Sequence, residues 1–335
     1  MRRRLAAALI VPALMLTAAC GESDDSGKTK GAEASQSPQM PEVPKPVAAA
    51  DPMPTVAGEA GKKPEITVPK GDPSGKFVVA TLTEGSGPVV QKNDLVVTKY
   101  TGKVWKSGKE LAPGSYDQGG TSLVVTAGAP TMLPMFSEAV TGKKVGSRVL
   151  VVAPPSAAFG EQGKQELGVA PTDNLVFVLD VAELMPKKAE GTQASIPAEL
   201  PQIKADKDEA AEIKIPKNDP PKELVSKVLI EGKGAEVKSG QTVYMQYSGA
   251  AWKVNEGKDK ATLFDTSWKT GAPFTTVIGQ GQVIEGWDKG LVGKKVGDRV
   301  LLVIPPAQAY KDQDKGPELP ANSTLVFVVD IVGAM

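Results

Sequence analysis

The chain has 335 residues, more than one ordinary core requires, which suggests two domains joined by connecting chain. Hydrophobic residues make up 41% and charged residues 23%, while 35 Gly and 28 Pro point to turns, linkers and β structure. Thirty-nine basic residues balance 39 acidic ones, leaving no basic excess to suggest nucleic acid, and histidine is absent, which removes the usual general base, the usual transition-metal ligand and any histidine-activated nucleophile.

In chain order, Arg2, Arg3 and Arg4 precede an apolar run from Leu5 to Ala19, followed by Cys20 and a polar GESDDSG. This is the layout of a secretory signal, and the run is too short to cross a bilayer as a helix. The LTAAC ending resembles a bacterial lipobox, with Leu16 four residues before the cysteine. Cys20 is the only cysteine, so no internal disulfide or thiolate cluster can form. The expectation is a signal peptide over 1–19, lipid on Cys20 and an extracytoplasmic protein anchored to the bacterial cell membrane; the alternative is an ordinary cleaved signal that leaves a free thiol. Residues 20–63 are rich in Ser, Pro, Ala, Gly, Lys and Glu without an aromatic, and are expected to form a disordered tether. A similar stretch, 187–210, is expected to link two domains.

Those domains, 64–186 and 211–335, are copies of one unit. PEITVPKGDPSG from Pro64 aligns on AEIKIPKNDPPK from Ala211 at an offset of 147, which becomes 151 at the shared GKKVG. In each copy the apolar runs are short and β-branched, Val96–Tyr100, Val149–Ala153 and Leu175–Val181 matching Val243–Tyr247, Val300–Ile304 and Leu325–Val332, and predict antiparallel strands. In VIEGWDKGLVG, Ile284, Trp287 and Leu291 share one face of a short predicted helix. Gly286 lowers the propensity of that helix by about 1 kcal/mol, which hints at a close approach by another element. A sheet over one short helix makes each copy an α+β domain.

In the second copy the succession Tyr247-Ser248-Gly249, Phe264-Asp265, Pro273-Phe274, Val283-Ile284-Glu285-Gly286-Trp287, GKKVGDR, Ile304-Pro305-Pro306 with Ala309-Tyr310, and Leu325-Val326-Phe327 resembles the FKBP-type peptidyl-prolyl isomerases. The resemblance implies an antiparallel half-barrel around the helix, with an apolar cleft that holds a prolyl residue. It implies a catalytic set of Asp265, Trp287 and Tyr310, with Trp287 as floor and Asp265 near the substrate carbonyl. It places Tyr247, Phe264, Phe274, Val283, Ile284, Leu319 and Phe327 against the substrate. Read singly, Trp287, Tyr247 and Phe327 could be core packing and Asp265 a turn residue. The pattern often has an arginine five residues after the aspartate, where this chain has Thr270 beside Lys269, and the stretch from Tyr247 to Phe264 is longer than in compact members.

The first copy departs further. Tyr100, Tyr116, Asp117, Met132, Leu133, Phe136, Phe159 and Phe177 are expected to form a degenerate cleft in which Phe136 replaces the tryptophan and Phe159 the second tyrosine. Pro134 restricts where its helix can begin. Three readings follow: an isomerase of X–Pro bonds in unfolded secreted proteins, active mainly through the second copy; a module that binds proline-containing segments with little turnover; and a lipid-anchored display scaffold. The first needs no nucleophile, metal or cofactor.

Overall fold

The computed structural model describes residues 43–335 apart from 130, 131, 206 and 271. The signal segment, Cys20 and residues 20–42 of the expected tether lie outside the described residues.

The rest of the expected tether is corrected. Strands β1 (Thr55–Ala57) and β2 (Glu65–Thr67) pair antiparallel, Val56 opposite Ile66. Upstream, the Val47 N–H donates to the Phe77 carbonyl at 2.9 Å, and Val47 accepts from the Val79 N–H at 2.9 Å. This strap packs on the outer face of a sheet made of β3 (Val78–Thr83), β4 (Leu95–Val104), β5 (Leu123–Thr126), β6 (Arg148–Ala153) and β7 (Leu175–Leu184). The sheet order is β3-β6-β7-β4-β5, antiparallel throughout, and helix α1 (Pro134–Val140) packs on its inner face. Pro134 is the first helical residue, where its missing N–H costs nothing.

The expected linker is corrected in the same way. Strands β8 (Gln202–Lys204) and β9 (Glu212–Lys214) form the equivalent strap, Ile203 opposite Ile213. It covers a sheet of β10 (Val225–Ile230), β11 (Thr242–Ala251), β12 (Asp265–Thr266), β13 (Phe274–Val277), β14 (Arg299–Ile304) and β15 (Leu325–Ala334). The order is β10-β14-β15-β11-β12, and β13 also pairs with β11. Helix α2 (Trp252–Asn255) lies in the longer stretch after β11, and α3 (Glu285–Leu291) packs on the inner face. The offset of 147 continues upstream through both straps, bringing Pro54 onto Pro201, Val56 onto Ile203 and Ile66 onto Ile213. Only a few apolar residues mark each strand, too few to give a visible period in polar surroundings.

With a strap on one face and a helix on the other, each sheet is buried on both sides. Along β14, Val300, Leu302 and Ile304 point to the helix-side core while Leu301 and Val303 point to the strap-side core, as the two-residue pleat requires. This is why the strand reads as an unbroken apolar run. Each strap is tied down by a buried arginine at the head of the strand after the helix. Arg148 makes a two-pronged pair with Asp180, both bonds 2.7 Å, and donates to the Gly58 carbonyl at 2.9 Å and the Lys62 carbonyl at 2.6 Å. Arg299 pairs likewise with Asp330, both bonds 2.7 Å, and donates to the Ala205 carbonyl at 2.7 Å.

Candidate active site

The cleft of the second repeat is built by α3 and the strands it faces. Trp287 is the third residue of the helix, and its indole meets three rings edge-on: Tyr247 at 5.3 Å between centroids, Phe327 at 5.2 Å and Phe274 at 5.8 Å. Phe264 closes against Phe327 at 5.6 Å. Edge-to-face packing at these separations fixes ring orientation as well as excluding water. Val283 and Ile284 approach the helix from its N-terminal side. Asp288, the residue after Trp287, accepts from the Gly279 N–H at 2.6 Å and the Gly281 N–H at 2.8 Å and so anchors that loop.

These groups enclose an open cavity of about 450 Å³. Tyr247, Phe264, Asp265, Phe274, Val283, Ile284, Trp287, Tyr310 and Phe327 all line it, so the structure brings together every residue expected there except one. Leu319, buried, instead walls an adjoining hollow with Phe264, Asp265, Tyr310 and Lys315. Gln282 also lines the cleft and was not anticipated, because a polar residue before an aliphatic pair carries no sequence signal.

Polar groups sit at the rim. Asp265 accepts a short hydrogen bond from the Tyr247 hydroxyl, and its other oxygen accepts from the Thr266 N–H at 2.8 Å. A hydroxyl and a backbone amide thus hold the carboxylate where the family pattern often has an arginine. Thr270 turns away and donates to the Ser267 and Ala272 carbonyls. Burial, then the bond to Asp265 and its charge, hold the Tyr247 phenol far above its ordinary value. Burial, then the charge of Asp265, raise the Tyr310 phenol. No described group accepts a hydrogen bond from the Tyr310 hydroxyl, while the Lys315 ammonium lies 4.6 Å from its ring centroid. The site therefore presents an apolar pocket wide enough for a pyrrolidine ring, one free hydroxyl donor and one fixed carboxylate.

The first repeat lacks the polar half of this arrangement. Tyr100, Met132, Leu133, Phe136 and Phe159 pack around its inner core together with buried Phe177. Phe136 meets Phe177 edge-on at 5.2 Å. The expectation that Tyr116 and Asp117 line this cleft is corrected. Tyr116 donates to Asp180 on the strap side of the sheet. Asp117 pairs with Lys63 at 2.6 Å and accepts from the Gly114 N–H at 2.7 Å. Burial, then the Asp180 bond, push the Tyr116 phenol up; the Lys63 bond, then that of Gly114, pull the Asp117 carboxyl down.

Backbone bonds identify the true counterparts. The Phe264 N–H donates to the Gly249 carbonyl, and the Leu111 N–H to that of Gly102. The Tyr247 N–H donates to the Ser267 hydroxyl, and the Tyr100 N–H to that of Ser115. Residues 111–115 therefore occupy the place of 264–267 with one residue to spare, leaving Ala112 and Pro113 where Asp265 would stand. Leu111 replaces Phe264, and Leu123, opposite Thr98, replaces Phe274, opposite Met245. Matching the two Asp residues by type had hidden this shift.

An antiparallel half-barrel closed on a short helix, with an aromatic cleft between them, is the arrangement that the resemblance to the FKBP-type isomerases implies. A family model described as FKBP-type peptidyl-prolyl cis-trans isomerase matches residues 87–182 and 233–332. The chain belongs to that family, and so to the peptidyl-prolyl cis-trans isomerases. It is similar to an FK506-binding protein of Streptomyces anulatus, 41% identical over 37% of this chain and 96% of the relative. It is also similar to FK506-binding protein 1A of Neurospora crassa, 42% identical over 33% of this chain and 87% of the relative. Among solved structures, the three FKBP domains of wheat FKBP73 are 24% identical, covering 78% of this chain and 96% of that one at a TM-score of 0.33.

Proposed function

We propose that the second repeat isomerises X–Pro bonds in extracytoplasmic proteins and so assists their folding, while the first holds proline-containing segments without turning them over. The observation that carries this is the contrast between the clefts: Trp287 under an open cavity with Asp265 and the Tyr310 hydroxyl at its rim, against Phe136 with Ala112, Pro113 and Phe159 in the corresponding places. Rotation about an X–Pro amide is opposed by ~18–20 kcal/mol and takes tens to hundreds of seconds unaided. The planar amide is more polarised than the twisted one, so an apolar, water-poor cleft disfavours the ground state relative to the transition state. The Tyr310 hydroxyl donates to the substrate carbonyl and keeps it aligned as the amide nitrogen localises its lone pair. Together, desolvation and positioning worth ~4 kcal/mol give roughly a thousandfold acceleration.

The test is a protease-free isomerisation assay on the whole chain. Trp287→Leu or Tyr310→Phe should remove most of the activity, and Phe136→Leu very little. Equal losses from Trp287→Leu and Phe136→Leu would place turnover in both repeats. A folded chain inert toward several X–Pro peptides would leave the binding reading in its place.

Attachment to the membrane through lipid on Cys20 belongs to the same proposal, supported by the basic, apolar, cysteine order of the first twenty residues. Detergent-phase partitioning that survives Cys20→Ala would reject it.

A further inference from the structure

We propose that an open groove of about 780 Å³ on the second repeat is an exosite for an acidic stretch of the client polypeptide whose proline occupies the cleft. This rests on the isomerase reading above. The floor is apolar, made by Pro220 and Pro221 at the entrance to β10 and by Pro305 and Pro306 after β14. Lys222 and Lys311, both exposed, stand at its edge, and no Asp or Glu lines it. Neither lysine makes an ion pair among the described residues. Asp219 and Glu285, the carboxylates that feel these charges, are paired with Lys253 and Lys289, and two cations without ion-pair partners over an apolar floor complement an extended segment that alternates carboxylates with apolar side chains.

The groove and the cleft share one loop. Successive residues diverge, Tyr310 lining the cleft and Lys311 the groove, so a single polypeptide can touch both. The backbone indicates that this cation has a use beyond solubility. Lys311 is held at φ 56°, a left-handed conformation that a side chain resists. Its N–H donates to the Pro306 carbonyl at 3.0 Å, and its carbonyl accepts from the Asn322 N–H at 2.8 Å. In the first repeat the corresponding residue, one after Phe159, is Gly160 at φ 61°. The backbone shape is thus common to both repeats, and the second carries a lysine where glycine would be unstrained. Lys222, 147 residues after Gly75, likewise has no cationic counterpart. Both cations are confined to the repeat that keeps the polar rim of the cleft.

The experiment measures isomerisation by the whole chain on paired peptides that share one Leu-Pro bond and carry, to one side or the other, a run alternating Glu and Leu or the same run with Gln for Glu. On one side, Glu should lower KM about fivefold relative to Gln, the scale of two exposed ion pairs. The advantage should vanish in Lys222→Ala/Lys311→Gly and at high salt, while the Gln peptides are turned over unchanged by the variant. Equal KM for Glu and Gln peptides overturns the proposal, as does an advantage that survives the double variant. Binding of a proline-free Glu-Leu peptide in trans, with no KM gain in cis, also overturns it in favour of a separate acidic partner. If every peptide is inert, the isomerase reading fails on its own, and fluorescence anisotropy of the labelled Glu-Leu-Pro peptide then decides: binding weakened by the double variant keeps the groove as an acidic-peptide site, and unchanged binding removes it.

Discussion

A β-carbon on Gly286 would lie 2.3 Å from Cγ2 of Ile304, so the helix that carries Trp287 rests backbone-first on β14. In the first repeat Met135 takes the helix position and Ala153 the strand position, and Met135 is fully buried. The bulk has changed sides of the contact while its sum is kept, as close-packed cores require. Gly286→Ala should therefore destabilise the second repeat by about 1–3 kcal/mol, although alanine is the better helix former. Ile304→Ala made together with it should recover part of the loss. Denaturant melts of the single and double variants check both outcomes; stabilisation by Gly286→Ala alone would refute the contact.

The bond from the Tyr247 hydroxyl to Asp265 fixes the carboxylate at the mouth of the cleft. Tyr247→Phe and Asp265→Asn should each lower kcat/KM by about tenfold, and the pair together by little more than either, because the two act as one unit. Fully additive losses would mean that they contribute separately.

No group with an ordinary value near neutrality faces the cleft, and both of its phenols are raised, Tyr247 by burial first and then by Asp265, Tyr310 by burial and then by the charge of Asp265. Each hydroxyl keeps its proton at any pH below the usual tyrosine value of about 10. The kcat/KM profile is expected to be flat from about pH 6 to 9. A bell-shaped profile in that interval would require a titrating group that this site does not contain.

Arg148 ties the first strap to its sheet through Asp180 and two loop carbonyls. Arg148→Met leaves a buried carboxylate without its charged partner, held only by the Tyr116 hydroxyl and the Gly61 N–H, and should cost about 3–5 kcal/mol. Burial alone would raise the Asp180 carboxyl; Arg148, Tyr116 and the Gly61 N–H bring it below its usual value. The sign follows from that depression: the contribution is complete above the unfolded value of about 4 and is lost as pH falls through the lower folded one. Stability of the first repeat should accordingly be level between pH 7 and 5 and drop in stronger acid, a dependence that Asp180→Asn should blunt.

Much of this could be read without coordinates, and the failures have physical causes. The second cleft was legible because Tyr247 and Phe327 fall on predicted strands and Trp287 on a predicted helix, while Phe264 and Phe274 keep the order of the family resemblance. Gly286 announced a close approach, although only the structure identifies Ile304 as its source. Asp117 misled because the path from Gly102 to Leu111 is six residues shorter than that from Gly249 to Phe264, and backbone bonds rather than residue types set the pairing there. The straps were missed for a different reason. Val56, Ile66, Ile203 and Ile213 are single apolar residues on three-residue strands, and their stability comes from the sheet face beneath and from an arginine far along the chain.

The straps also decide where the polypeptide can be cut. A fragment starting at residue 233, where the family match begins, would discard β8, β9 and β10 and bare Leu301, Val303, Val326 and Val328 to water. A recombinant piece of the second half has to begin before Ala189, whose N–H donates to Asp330 at 3.1 Å. Anything shorter is expected to precipitate from the test tube for want of its cover, and such a loss says nothing about the catalytic machinery.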